Sequence, residues 1–262
     1  MKPSQLLGQA HMPDGSDIRL TLRDDEYVIL LDRQPLMTSR AHESEDALAT
    51  TACQHIRRVR RPHVLVGGLG MGFTLRASLD ALPAGATVTV AELVPEVVAW
   101  NRGPLAPLAG HPLDDPRVRI ALGDVGRTLR ANRDRFDGIL LDVDNGPAAL
   151  TGTANDGLYD DEGVAMGFAA LRAGGVLAVW SAAGDPTFER RLRQHGFITQ
   201  VDRVRVRPNK GGARHTIFLG IKPRPSQPAH GRSSKRRTAA RGSDRPPLES
   251  EARRQDLRRR QN

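Results

Sequence analysis

Residues 63–92 of this chain read HVLVGGLGMGFTLRASLDALPAGATVTVAE, and this stretch decides the fold. Two short apolar runs flank a segment with helical character, and the second run ends in Glu92. A cluster of glycines follows the first run: Gly67, Gly68, Gly70 and Gly72. Continuous apolar strands separated by amphipathic helices are typical of a parallel sheet that is covered on both faces. The stretch therefore predicts one βαβ unit of an α/β domain.

The same alternation continues toward the C-terminus. Apolar runs near 117–124, 138–142 and 175–180 predict further parallel strands with helical patterns between them. The last two runs, 197–208 and 214–221, predict an antiparallel hairpin. The expected fold class is α/β, with a doubly wound, mostly parallel, seven-stranded Rossmann-like sheet of the class I methyltransferase type. Because nicotinamide-binding sheets generally stay parallel, the terminal hairpin makes a dehydrogenase a poor fit.

The N-terminal part of the chain has a different pattern. Residues 18–38 contain two extended runs on either side of a polar turn and predict a small β-element. Ser44 is predicted to cap a helix that continues to about residue 58. We therefore expect an N-terminal β-element in residues 1–40 and a nucleoside-binding domain in residues 41–221.

The positive charge of the chain is concentrated at its C-terminal end. The 262 residues carry a formal net charge of +9, and residues 222–262 alone hold 13 Lys or Arg against 4 Asp or Glu. This segment has no aromatic residue and five prolines, so it cannot bury enough apolar surface to offset the entropy of ordering. It is predicted to be a disordered basic tail. Two interpretations stay open, a solvated extension and a weak, salt-dependent contact with nucleic acid or another polyanion.

Composition excludes several other classes. The single cysteine, Cys53, cannot form an internal disulfide, and the eight histidines show no metal-ligand spacing, so no metal site is expected. The chain has no run of 18 apolar residues and no apolar N-terminal stretch typical of a signal peptide. These features predict a soluble cytoplasmic protein that has no membrane partner.

Acidic residues follow successive predicted strands. In an open α/β sheet, ligands bind beyond the carboxyl ends of the strands, so these positions are the candidates for a site. Glu92 follows the second strand of the sheet and Asp124 follows the third, while Asp142 and Asp144 follow the fourth. A carboxylate after the second strand can accept hydrogen bonds from a ribose diol. The structural alternatives are helix caps for the first two acids and a surface turn for the last two.

Seven segments between about residues 27 and 221 resemble, in order and spacing, the spermidine synthase (polyamine aminopropyltransferase) family. The segments are VLVGGLGMGFTLR (64–76), VTVAELVPEVV (88–98), DPRVRIALGD (115–124), FDGILLD (136–142), GPA (146–148), LY (158–159) and LRAGGVLAVW (171–180). The resemblance implies a transferase that moves an aminopropyl group from decarboxylated S-adenosylmethionine to a small-molecule amine. It also implies a homodimer.

The resemblance assigns a role to each candidate residue. Glu92 would hold the ribose diol and Asp124 the adenine edge, while the glycine-rich loop would approach the nucleoside. Asp142 would take the proton of the attacking amine, and Asp144 would substitute for a second acid of the family. Tyr159 falls beside an aromatic pair near the active-site loop.

Two departures from the family pattern keep other functions open. Met71 stands where the family carries an acid that engages the donor's ammonium, and Asn145 lies near the place of the second acid. Loss of the first acid would also remove repulsion against the carboxylate of intact S-adenosylmethionine, so a methyltransferase acting on an N or O nucleophile is the first alternative. The second is a non-catalytic nucleoside-binding scaffold whose basic tail binds nucleic acid.

Overall fold

The structure, a computed structural model of the chain, describes residues 4–143, 146–147, 156–205 and 214–225. Its strands are β1 (Gln5–His11), β2 (Asp17–Arg23), β3 (Glu26–Leu31), β4 (Gln34–Thr38), β5 (His63–Gly67), β6 (Thr87–Glu92), β7 (Val118–Leu122), β8 (Phe136–Leu141), β9 (Leu171–Ser181), β10 (Ile198–Arg205) and β11 (Arg214–Ile221). Its α-helices are α1 (Glu43–Ile56), α2 (Phe73–Ala81), α3 (Pro95–Arg102), α4 (Val125–Arg130), α5 (Asp156–Tyr159), α6 (Asp161–Ala170) and α7 (Pro186–Gln194).

The large sheet has seven strands in the order β10-β11-β9-β8-β5-β6-β7. The five strands from β9 to β7 are parallel, whereas β11 is antiparallel to both β9 and β10. The chain runs outward from β5 to β7 and then crosses to β8, so the strand order reverses between β5 and β8. The predicted doubly wound sheet with a terminal antiparallel hairpin is therefore confirmed.

Alternate residues of the central strands enter separate hydrophobic cores on the two faces of the sheet. Val64 and Val66 of β5 pack in the core that also contains α1, α2 and α3. Leu65, between them, packs in the opposite core together with Phe188 of α7. This alternation explains why the strands read as continuous apolar runs in the sequence, since both of their faces are buried.

The N-terminal element is an antiparallel sheet of four strands in the order β1-β2-β3-β4. The predicted hairpin about the polar turn is β2–β3, and its turn residues Asp24 and Asp25 have positive φ angles of 46° and 61°. Strand β1 was not predicted from the sequence. It packs on α3, where Gly8 lies against the indole of Trp100.

Two sequence predictions differ from the structure at the edges of elements. Ser44 is not the cap of α1, because the helix begins at Glu43 with His42 in the capping position, and the Ser44 hydroxyl donates to Glu45 Oε2 instead. Lys222, assigned to the tail, is anchored on the body, since its Nζ donates to Asp134 Oδ1 at 3.0 Å and to the Leu171 carbonyl at 2.6 Å. The rest of the predicted tail beyond residue 225 lies outside the described residues.

The helices in the described part of the chain are too short or too polar for any of them to cross a membrane.

We expect Gly8→Ala to reduce the free energy of unfolding by about 1–3 kcal/mol, because a methyl group there would overlap the Trp100 indole and force the N-terminal sheet away from α3. Urea denaturation measures this loss. Gly157→Ala is the control, since a Cβ at Gly157 meets no described atom within 4 Å. Equal losses in the two variants would contradict the packing argument.

Candidate active site

A cavity of about 370 Å³ lies where the carboxyl ends of the parallel strands meet the N-terminal sheet. The large sheet contributes residues at or just after the ends of β5, β6, β7, β8 and β9, together with the start of β11. The N-terminal sheet contributes an apolar wall: Met12, Ile18, Ile29, Leu31, Leu36 and Met37. The cavity is therefore charged on one side and apolar on the other.

The glycine-rich loop after β5 forms part of the cavity through Gly68 and Gly70. Gly68 has a φ of +87°, and a Cβ at this position would collide with the carbonyl oxygen of Asp142. A residue other than glycine would therefore force apart the ends of β5 and β8. Of the other predicted glycines, Gly67 is the last residue of β5 and Gly72 caps α2, and neither lies among the described residues that line the cavity.

Asn101 of α3 holds this loop in place, a role the sequence analysis missed. Its Nδ2 donates to the Gly70 carbonyl at 2.8 Å and to the Val97 carbonyl at 2.9 Å, and the side chain is fully buried. The asparagine thus connects the loop to the helix that follows β6. An asparagine within an otherwise apolar helical face was the available signal.

Glu92 lies at the end of β6, as predicted, and lines the cavity. Its Oε2 accepts from the Leu69 amide at 2.9 Å and its Oε1 accepts from the Val94 amide at 2.8 Å. Burial raises the pKa of Glu92, and these amide hydrogen bonds oppose the rise. A carboxylate oxygen has two acceptor sites, so each oxygen can still accept a hydrogen bond from a ligand hydroxyl.

Asp124 is a helix cap, the structural alternative that the sequence left open, and it also lies at the cavity. Its carboxylate caps α4 by accepting from the Arg127 amide at 2.7 Å, and the residue also lines the cavity. Unlike Glu92, it is exposed.

Asp142 follows β8 directly and lines the middle of the cavity. The Thr74 hydroxyl donates to its Oδ2 at 2.6 Å, and its own amide donates to the Gly67 carbonyl at 3.0 Å. Burial raises the pKa of Asp142, and the hydrogen bond from Thr74 opposes this in part. The two bonds fix the carboxyl beside the glycine-rich loop.

Glu45, on the first turn of α1, is an acidic residue of the cavity that the sequence analysis did not identify. It is only 6% exposed, and its pKa is raised to about 7 by burial and by the nearby charge of Asp142. The signal was present in the helical spacing, because Leu48, Ala49 and Ala52 are buried on the same side of α1.

A chain of hydrogen bonds connects Glu45 to β11. The Ser44 hydroxyl donates to Glu45 Oε2 at 2.6 Å, and His215 Nδ1 lies 3.0 Å from the same hydroxyl. Since the hydroxyl has a single proton, His215 is the donor in that contact when Glu45 is ionised. Burial lowers the pKa of His215, which favours the neutral ring at pH 7. Trp180 of β9 packs edge-on against His215 and also lines the cavity.

The remaining candidates lie elsewhere. Tyr159 is buried in the core around Phe188, and its hydroxyl donates to the Val143 carbonyl at 3.1 Å, so it steadies the segment after Asp142. It is not among the described residues that line the cavity. Met71 is fully buried in the core with the N-terminal sheet. Asp144 and Asn145 lie outside the described residues.

The charge of the cavity is one-sided. Four carboxyl side chains line it: Glu45, Glu92, Asp124 and Asp142. Among the described residues, no lysine or arginine lines the cavity or forms an ion pair with any of these four groups. Carboxyl groups that are removed from water without a positive partner favour a cationic ligand.

The fold is similar to that of known spermidine synthases. The enzyme from Thermotoga maritima has a TM-score of 0.65 and 21% identity, over 83% of this chain and 73% of that chain. A spermidine synthase in complex with the transition state analogue AdoDATO has a TM-score of 0.63 and 21% identity, over 83% of this chain and 72% of that chain. A probable spermidine synthase from Corynebacterium glutamicum ATCC 13032 has a TM-score of 0.56 and 16% identity, over 84% of this chain and 81% of that chain.

Neither a protein-family model nor a curated protein sequence matches this chain. At identities of 16–21%, the structural likeness to these spermidine synthases establishes the fold alone. The resemblance seen in the sequence is thereby confirmed at the level of the fold.

We expect Glu45→Gln to stabilise the folded protein more at pH 8 than at pH 4. Burial raises the pKa of Glu45 from the usual 4.5 to about 7, so the folded form keeps a proton that the unfolded form loses, and stability falls as the pH rises between these values. The difference amounts to about 3 kcal/mol at most. Thermal denaturation of parent and variant across this pH range measures it, and a pH-independent difference would contradict the assignment.

Proposed function

We propose that this protein transfers an aminopropyl group from decarboxylated S-adenosylmethionine to a small-molecule amine. The observation that carries the proposal is the set of four carboxyl side chains in one cavity, with no lysine or arginine in its described lining. The donor carries a positive sulfonium and a positive ammonium, so its charge is opposite to that of the cavity. The fold shared with spermidine synthases supports the same activity.

The adenosine of the donor would occupy the part of the cavity near β5, β6 and β7. Glu92 would accept hydrogen bonds from the ribose hydroxyls and Asp124 would meet the adenine edge, while Gly68 lets the backbone approach closely. Two strand spacings of about 4.8 Å separate β6 from β8 in this sheet. Across this span, the reacting end of a bound nucleoside would lie beside Asp142.

The charge of the cavity favours a decarboxylated donor over intact S-adenosylmethionine. The intact molecule carries a carboxylate next to its ammonium, and that group would face Asp142 and Glu45 without a lysine or arginine in the described lining. The buried Met71 does remove one acid from the glycine-rich loop, which is the observation in favour of a methyltransferase. Glu45, however, brings a carboxyl into the same cavity from α1.

The reaction would be a direct displacement. The lone pair of the neutral acceptor nitrogen forms a bond to the aminopropyl carbon next to sulfur, and the carbon–sulfur electron pair stays on sulfur, so neutral methylthioadenosine leaves. The nitrogen then carries a positive charge and loses one proton to the carboxylate of Asp142. Its raised pKa makes Asp142 a better proton acceptor than an exposed aspartate. The protein contributes mainly alignment of the two substrates.

Other parts of the proposal rest on the sequence and on the resemblance. The protein would act as a homodimer, and its domains would be the β-element of residues 1–40, the nucleoside-binding domain of residues 41–221 and a basic tail. That tail, residues 222–262, would make at most weak, salt-dependent contacts with nucleic acid or another polyanion.

Calorimetric titration with decarboxylated S-adenosylmethionine, intact S-adenosylmethionine and methylthioadenosine tests the proposal. We expect the decarboxylated donor to bind tightest and methylthioadenosine to bind measurably. An amine and the decarboxylated donor together should release methylthioadenosine, which mass spectrometry detects. Preference for intact S-adenosylmethionine, with S-adenosylhomocysteine as the product, would identify a methyltransferase instead. Absence of binding by all three compounds would overturn both enzymatic functions.

We expect Asp142→Asn to lower kcat by about 10²–10⁴-fold, because the amide cannot accept the proton of the amine. The affinity for methylthioadenosine should change less than threefold, as this product has no amine to deprotonate. Asp80→Asn is the control, since Asp80 is an exposed acid of α2 outside the cavity lining. A kcat within threefold of the parent value would exclude Asp142 as the general base.

A further inference from the structure

Among the described residues, Glu45 and Asp142 form no ion pair with a lysine or arginine, whereas the buried acid Asp137 does. Asp137, which is 7% exposed, lies 2.7 Å from Arg172 Nη1 and also accepts from the His63 amide at 2.8 Å. Glu45 is equally buried, yet its side-chain partner is the neutral Ser44 hydroxyl. The partner of Asp142 is the Thr74 hydroxyl, which is also neutral.

Among the described residues, two histidines lie near this pair, and neither forms an ion pair with Glu45 or Asp142. His42 Nδ1 lies 2.9 Å from Asp46 Oδ2 and its ring stacks on Phe73, and its effect in lowering the pKa of Glu45 is the smallest of those that act on this group. His215 reaches Glu45 only through Ser44, and burial favours its neutral form. Both carboxyl groups line a cavity that has room for a ligand, and the charge of Asp142 acts on Glu45.

The order of the strands locates this pair relative to the nucleoside. Along the carboxyl edge of the sheet the cavity residues follow the sequence Asp124, Glu92, Gly68, Asp142, Trp180 and His215. Glu45 lies at the far end of this series, since it is linked to His215 through the Ser44 hydroxyl and the charge of Asp142 acts on it. In the proposed function Asp142 lies at the reacting centre, and Glu45 lies beyond it on the side away from the adenosine.

We propose that Glu45, together with Asp142, binds a primary ammonium group at this end of the cavity and so makes the site selective for a cationic substrate. The inference rests on the proposed function, in which both the donor and the acceptor carry such a group. A carboxylate fixed by Ser44 on one oxygen can accept an ammonium hydrogen bond, and the Trp180 ring at the same end adds a surface suited to a cation.

The test compares Glu45→Gln, which removes the charge and keeps the shape, with Glu43→Gln, which makes the same change on the same helical turn outside the described cavity lining. Calorimetry with decarboxylated S-adenosylmethionine and with methylthioadenosine separates the cationic aminopropyl sulfonium group from the nucleoside, since only the former compound carries the sulfonium and the ammonium. Steady-state kinetics with an aliphatic diamine reports on the acceptor. Glu45→Asp keeps the charge and serves as the rescue variant.

We expect Glu45→Gln to weaken the binding of one ammonium-bearing substrate by about ten- to hundredfold, while the affinity for methylthioadenosine stays within twofold of the parent value. Weaker binding of the decarboxylated donor would place the donor's ammonium at Glu45. A raised KM for the diamine, with the affinity for the donor unchanged, would place the acceptor's ammonium there instead. Glu45→Asp should recover part of the loss, and Glu43→Gln should match the parent.

The pH dependence gives a second readout. The titratable groups that face Glu45 are Asp142 after β8, His42 ahead of α1 and, through Ser44, His215 of β11. A proton on Glu45 competes with the bound ammonium, so affinity for the cationic substrate should rise from pH 6 to pH 8 in the parent and rise less in Glu45→Gln.

Two results would overturn the inference in different ways. If methylthioadenosine binds the parent but Glu45→Gln changes neither donor affinity nor the KM of the diamine, the inference is wrong and the proposed function stands. If the parent binds neither nucleoside, the proposed function fails and the inference falls with it. Thermal denaturation of each variant confirms that a loss of binding does not arise from unfolding.

Discussion

Parallel strands bring all their carboxyl ends to one edge of the sheet, and this constraint determines where the ligand-binding groups of this protein can gather. Residues at the ends of β5, β6, β7 and β8 are distant in sequence, yet the strand order places Gly68, Glu92, Asp124 and Asp142 along a single cavity. The reversal of strand order between β5 and β8 opens the crevice in which they meet. The collision that a side chain at Gly68 would make with the Asp142 carbonyl shows how tightly the two ends are joined.

Bringing these acids together lowers the stability of the folded protein when no ligand is bound. Acids held out of water favour their protonated forms, and burial raises the pKa values of Glu45, Glu92 and Asp142, with the charge of Asp142 adding to the rise at Glu45. For Glu92 two amide hydrogen bonds offset part of this cost, whereas Glu45 and Asp142 each have a hydroxyl partner. A bound cation would offset the part of this free-energy cost that the hydrogen bonds leave. Stability given up at a site in this way is a common feature of functional sites.

The sequence predicted the large sheet and three of the four cavity acids, because both depend on local patterns. Glu92, Asp124 and Asp142 each follow directly on an apolar run, so their place at the carboxyl edge follows from the strand itself. Glu45 could not be placed in this way, since the position of α1 above β8 and β9 depends on packing between distant segments. The prediction that Ser44 caps a helix was wrong for a similar reason, because a local capping rule cannot show that its hydroxyl donates to Glu45. Strand β1 was missed because the run QLLGQAH lacks a clear alternation of apolar and polar residues.

The N-terminal sheet completes the argument about charge, because it determines the medium in which the carboxyl groups act. Its apolar side chains, among them Ile18, Ile29 and Met37, face the cavity opposite the acidic edge. An apolar wall limits the access of water, and the interaction between a carboxylate and a cation is stronger where water is scarce. Apart from Thr38, the described side chains that the N-terminal sheet brings to the cavity are apolar, so in the proposed function the wall would add to the preference for a cationic ligand. In the proposed function the small β-sheet would thus affect selectivity through the local dielectric, although the chemistry would take place on the large sheet.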